Sequence, residues 1–109
     1  MKPVMFRQGD VLLLAVASLP KEATDITPSD RIVLAYGEVT GHAHAIARTE
    51  DTITIPARYF DAGAERFLQI LEKTALLHEE HSAVMLDKGI YRQAFQVEEQ
   101  RAEIRRVAD

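Results

Sequence analysis

The chain has no cysteine. That excludes disulfide frameworks, thiolate zinc fingers and iron–sulfur clusters, and it removes cysteine as a nucleophile. Long apolar runs are missing as well. The longest, Val11 to Ala17, has the length of a strand and falls far short of the ~20 residues of a membrane span. Basic charge is scarce: 13 Lys and Arg face 17 Asp and Glu, a net charge of −4 that argues against nucleic acid as the main partner. The opening residues Met1 to Arg7 hold no apolar h-region and no small-residue cleavage site, so the reading is a cytoplasmic protein with no membrane partner. Repeats, low-complexity tracts and linker-like stretches are absent too. What remains is one ordinary globular domain spanning residues 1–109, large enough to bury roughly two-thirds of its unfolded surface.

The first half reads as β structure. Val11 to Ser18 is apolar and closed by Pro20, and Arg31 to Tyr36 carries Ile32, Val33 and Leu34 before Gly37. Gly37 to Gly41 has the form of a turn. It lacks the lysine and following helix of a phosphate loop. His42 to Ala47 alternates, with His42, His44 and Ile46 on one face and Ala43, Ala45 and Ala47 on the other. Asp51 to Pro56 alternates again through the β-branched Thr52-Ile53-Thr54-Ile55.

In the second half, Phe67, Ile70, Leu71 and Thr74 recur at helical spacing, so one helix near residues 62–77 is open. The same stretch also divides into strands Arg66–Leu71 and Thr74–Leu77 around Glu72-Lys73, which the flanking strands favour. Asp87-Lys88-Gly89 has the form of a hairpin loop between Ala83–Leu86 and Ile90–Val97. Tyr91 and Phe95 share a strand face and read as core. Residues 98–109 form a charged tail. The expected fold is all-β, a small barrel or sandwich.

All four histidines fall in close pairs, His42-Ala43-His44 and His78-Glu79-Glu80-His81. In a strand, residues i and i+2 share a face, so His42 and His44 present two imidazoles side by side. The i, i+3 spacing of His78 and His81 places both on one face only where the chain turns. Three or four neutral imidazoles suit a divalent transition metal: zinc, copper, iron, nickel or manganese. The expected ligands are His42, His44, His78 and His81, and the candidate general bases are Glu79, Glu80 and Glu38.

A glycine-led His-x-His on a strand, followed by Glu50, resembles the first motif of cupins, small β-barrels that hold a metal between strands. Both spacings, Gly37 to His42 and His44 to Glu50, are slightly off the cupin pattern. The second cupin motif is absent, and the chain has no asparagine to complete it. The resemblance implies a cupin-like barrel with His42, His44 and one late histidine as ligands; it implies no particular reaction. The chain as a whole resembles a group of small bacterial proteins with no established activity. Arg7-Gln8-Gly9-Asp10-Val11-Leu12-Leu13, Gly37–His44 with its Gly-His-x-His, and His78-Glu79-Glu80-His81 carry that likeness.

Three functions compete on these grounds. The first is a metal-dependent enzyme acting on a small-molecule substrate. The second is a non-catalytic metal or ligand binder, or an accessory interaction module. The third is a metal-free phosphodiesterase or ribonuclease using histidine acid–base pairs, although the hydroxyl residues of the two-histidine phosphoesterase pattern are missing here. A chain this short leaves little room for a pocket, which a homodimer could supply.

Overall fold

The computed structural model describes residues 5–36, 42–48 and 54–95. Ten antiparallel strands run through them: β1 Met5–Gln8, β2 Val11–Val16, β3 Thr24–Asp25, β4 Arg31–Tyr36, β5 Ala43–Ala47, β6 Ala57–Ala62, β7 Glu65–Ile70, β8 Thr74–Leu76, β9 Val84–Leu86 and β10 Gly89–Phe95. There is no helix among the described residues, and none long and apolar enough to cross a membrane. The fold is all-β, as the alternating pattern predicts.

Six strands form one sheet in the order β1-β2-β10-β7-β6-β3. Its hairpins are set by glycine. Gln8 pairs with Val11, leaving Gly9-Asp10 as a two-residue loop. Gly9 has φ of 56° and, among the described residues, only glycines take positive φ, so the loop has the pattern of a type II′ turn. Gly63 repeats the device between β6 and β7.

The other four strands form two pairs, β4–β5 and β8–β9. Ala45 and Leu77 join them through two reciprocal backbone hydrogen bonds of 2.9 Å each. Val11 and Leu13 of the large sheet, Leu68 and Ile70 of β7, and Ile32, Ile46, Leu76 and Leu86 of the small pairs bury their side chains in one core. Each such side chain contributes about 1.5–3 kcal/mol of burial.

A β-bulge interrupts β4 between Val33 and Ala35, beside the Ala35–His44 pair. The carbonyl of Leu34 there accepts a hydrogen bond from Gln93 Nε2 at 2.7 Å. Gln93 Oε1 in turn accepts from the Tyr59 hydroxyl. A bulge leaves its extra residue out of the ladder, and here a buried glutamine of β10 satisfies it.

Three local expectations give way. The helix near residues 62–77 is replaced by the Gly63 turn, β7 and β8, because each strand finds a partner that burial rewards. Asp87-Lys88 is a corner and not a hairpin loop: β9 pairs with β8, while β10 inserts between β2 and β7. Thr54 to Pro56 is not strand, and the strand that follows begins at Ala57. Gly37 to Gly41 with Glu38, Glu50, Asp51 to Ile53, and the 98–109 tail lie outside the described residues.

Candidate metal centre

The Ala45–Leu77 bridge sets the geometry of the site. Continuing its antiparallel register places His44 opposite His78, Ala43 opposite Glu79 and His42 opposite Glu80. The contacts follow that order. The His44 and His78 rings lie 4.3 Å apart between centroids. Glu79 Oε1 accepts the Ala43 N–H at 2.9 Å. Glu80 Oε1 lies 2.8 Å from His42 Nδ1.

Residues 78–83 leave the strand and bend. The bend returns His81 to His78 at 4.6 Å and to His44 at 5.8 Å, while His42 meets His78 at 5.7 Å. All four histidines therefore form one cluster with His78 at its centre. One donor atom each from His42, His78 and Glu79 lies within 4.8 Å of the others. Donors on one zinc ion at 2.0–2.1 Å stand at most about 4.2 Å apart, so this set needs only a small adjustment to close on an ion.

The hydrogen bonds decide which ring nitrogens carry protons. Gln8 donates from Nε2 to the carbonyls of Leu76 and Ser82, at 2.8 and 2.9 Å. Its Oε1 is then an acceptor, 3.0 Å from His44 Nδ1. The proton of His44 therefore sits on Nδ1, and Nε2 keeps its lone pair. Glu80 makes the same assignment at His42, since a carboxylate can only accept from Nδ1–H. Bonds of this kind fix the tautomer and orientation of imidazoles where they serve as metal ligands. His78 differs: its Nδ1 accepts the Glu80 N–H at 3.0 Å, which puts the proton of the neutral ring on Nε2.

Burial holds His44 below the ordinary histidine pKa, and the repulsion that a protonated His78 or His81 would exert adds to the shift. The Ala43 N–H, with Glu79's own backbone amide, holds the Glu79 carboxyl below the usual range, so it is ionised. Both are the protonation states that ligation needs.

Gly9 closes the site from the large sheet. A Cβ there would stand 2.6 Å from His81 Nε2 and 3.1 Å from His44 Cε1. Neither Gln8 nor Gly9 was expected as part of the site. Their one signal in the sequence is that Gln8-Gly9-Asp10 lies within a stretch that carries the bacterial resemblance. Glu38 falls outside the described residues.

A family model described as a domain of unknown function (DUF8820) matches residues 7–96, a span that holds Gln8, Gly9 and both histidine pairs. No curated protein and no solved structure matches the chain.

Proposed function

The chain belongs to this DUF8820 family, and we propose that it binds one divalent transition-metal ion at the histidine cluster. The observation that carries the reading is the Ala45–Leu77 bridge, which brings two distant histidine pairs into one register. His42, His78 and Glu79 are the primary ligands, and His44 and His81 stand beside them. Glu80 positions His42 and Gln8 positions His44. His78 must exchange its bond from the Glu80 amide for the ion, so metal uptake moves the 78–81 bend.

Three protein donors leave a coordination position for water or substrate, the form of a catalytic zinc-type centre. A bound ion would act there as a Lewis acid and lower the pKa of its water. The metal-dependent enzyme is therefore the favoured reading. If His44 or His81 joins as a fourth donor, the shell closes, and the chain is a carrier or sensor. The cupin-like reading finds support in the pairing of one His-x-His strand with a late histidine segment.

Equilibrium dialysis against zinc, nickel, copper, manganese and iron(II), with elemental analysis, tests this. The expected result is one ion per chain, removed by chelator and weakened as pH falls through about 6, where imidazoles take up protons. His42→Ala and His78→Ala each lower affinity by at least tenfold. Parent-like uptake by both variants would sink the proposal.

A further inference from the structure

β4 is a free sheet edge. Among the described residues it pairs only with β5. The bonds of Ala45 decide which groups of β4 point outward. Ala45 spends both its N–H and its carbonyl on Leu77, away from β4. Val33 lies opposite Ala45, so the two form a pair without mutual hydrogen bonds, and the N–H and carbonyl of Val33 point away from β5. Among the described residues, nothing bonds to them.

The bulge sets three side chains of this edge on one face. Arg31, Val33 and Tyr36 lie across from Ala47, Ala45 and Ala43; without the extra residue, Tyr36 would point to the other face. Tyr36 is 75% exposed. Arg31 is exposed and has no ion pair among the described residues. A cleft of about 380 Å³ opens beside these three side chains and is also lined by Ile26, Pro28 and Tyr59.

We propose that β4 pairs antiparallel with β4 of a second copy of this chain, about a two-fold axis at Val33. The pairing needs no metal. Each Val33 donates its N–H to the other's carbonyl, and the open edges of both copies are closed. Arg31 comes to face Tyr36 of the second copy, and the symmetry makes that contact twice. A guanidinium over an aromatic ring is attractive. Charge rejects the register with the axis at Arg31, which would set two guanidinium groups opposite each other. An axis at Ile32 would pair Arg31 with Val33 and leave both Tyr36 rings without a partner. The Val33 register alone satisfies the cation, the ring and the backbone groups together, so the edge is complementary to itself. The two β5 strands, each carrying His44, then run about 14 Å apart in one continuous sheet.

Sedimentation of the full, metal-free chain over a range of concentrations tests this. The expected species has twice the mass of one chain. Tyr36→Lys sets an ammonium against Arg31 of the second copy and raises the dimer dissociation constant about tenfold or more. Adding Arg31→Glu to that variant restores an opposite-charge pair and recovers the dimer. The chain has no cysteine, so the thiol of Val33→Cys can bridge only to its own copy. A Cα separation of about 5.5 Å at the axis lies within disulfide range, and mild oxidation should give a covalent dimer. Ala15→Cys, at an exposed position of β2, should not. A parent chain that stays monomeric, a dimer that Tyr36→Lys leaves unchanged, or a Val33→Cys variant that cross-links no more than Ala15→Cys each overturns the proposal, whether or not the chain takes up metal.

Discussion

Gln8 acts on the cluster by holding one proton in place. Its amide nitrogen is spent on Leu76 and Ser82, so its oxygen must accept from His44 Nδ1. Gln8→Leu strips three groups of their partner, two of them in buried bonds, and leaving even one buried group unsatisfied costs about 1–3 kcal/mol. Metal affinity should fall 10- to 100-fold, the usual cost of an outer partner. Gln8→Glu separates the two effects. It still accepts from His44 but cannot donate to the carbonyls, so urea unfolding should shift more than zinc affinity does. Similar zinc affinity for Gln8→Leu and the parent would refute the positioning role.

His44 itself carries a pH signature. Burial, with the repulsion that a protonated His78 or His81 would exert, lowers its folded pKa below the unfolded value of about 6.5. The unfolded chain therefore binds the proton more readily. The contribution of His44 to stability is complete above about pH 6.5 and is lost as pH falls through the lower folded value. Urea midpoints of the metal-free protein between pH 7.5 and pH 5 should decline below about 6.5, and His44→Gln should flatten that decline. A midpoint that holds steady to pH 5 in the parent would contradict a buried neutral His44.

Among the elements, the bridge between β5 and the segment after β8 matters most. The Leu77 side chain is largely exposed, but its N–H donates to Ala45 O. Leu77→Pro removes that donor. The stability cost is about 1 kcal/mol for one hydrogen bond, whereas metal affinity should drop at least tenfold as the two histidine pairs lose register. Leu77→Ala keeps the bond and should keep the affinity. Zinc titration of both variants beside the parent checks this, and an unaffected Leu77→Pro would show that the register is held elsewhere.

Sequence and structure part company at this scale. The alternation of His42, His44 and Ile46 against three alanines was legible because a strand's period is local. The pairing of β10 with β2 and β7 was not: Asp87-Lys88-Gly89 has the residues of a hairpin loop, but a local pattern does not name a strand's partner. The reach of Gln8 to His44 was hidden for the same reason, since 36 residues separate them. In residues 62–77, helical spacing of apolar residues competed with β context. Burial on two sheets decided it, with Gly63 marking the turn.

At the scale of the whole molecule, the site draws on both layers that meet in the core, the six-stranded sheet and the two small strand pairs. Gln8 and Gly9 come from the six-stranded sheet, and the histidines come from the two smaller pairs and the bend beyond them. The core side chains that hold these layers together are Leu13, Leu68, Ile70 and their neighbours, none of which belongs to the cluster. The all-β class was legible from alternation alone. The assembly of the site was not, because it depends on how the layers stack.

Two reciprocal hydrogen bonds between Ala45 and Leu77 are the backbone join between the histidine-bearing segments. Domain stability rests on a different and much broader set of bonds. Changes near the join can thus alter the spacing of the histidine cluster without threatening the fold, while the large sheet can drift in sequence without dispersing the cluster. The architecture separates what keeps the domain folded from what brings the two histidine pairs together.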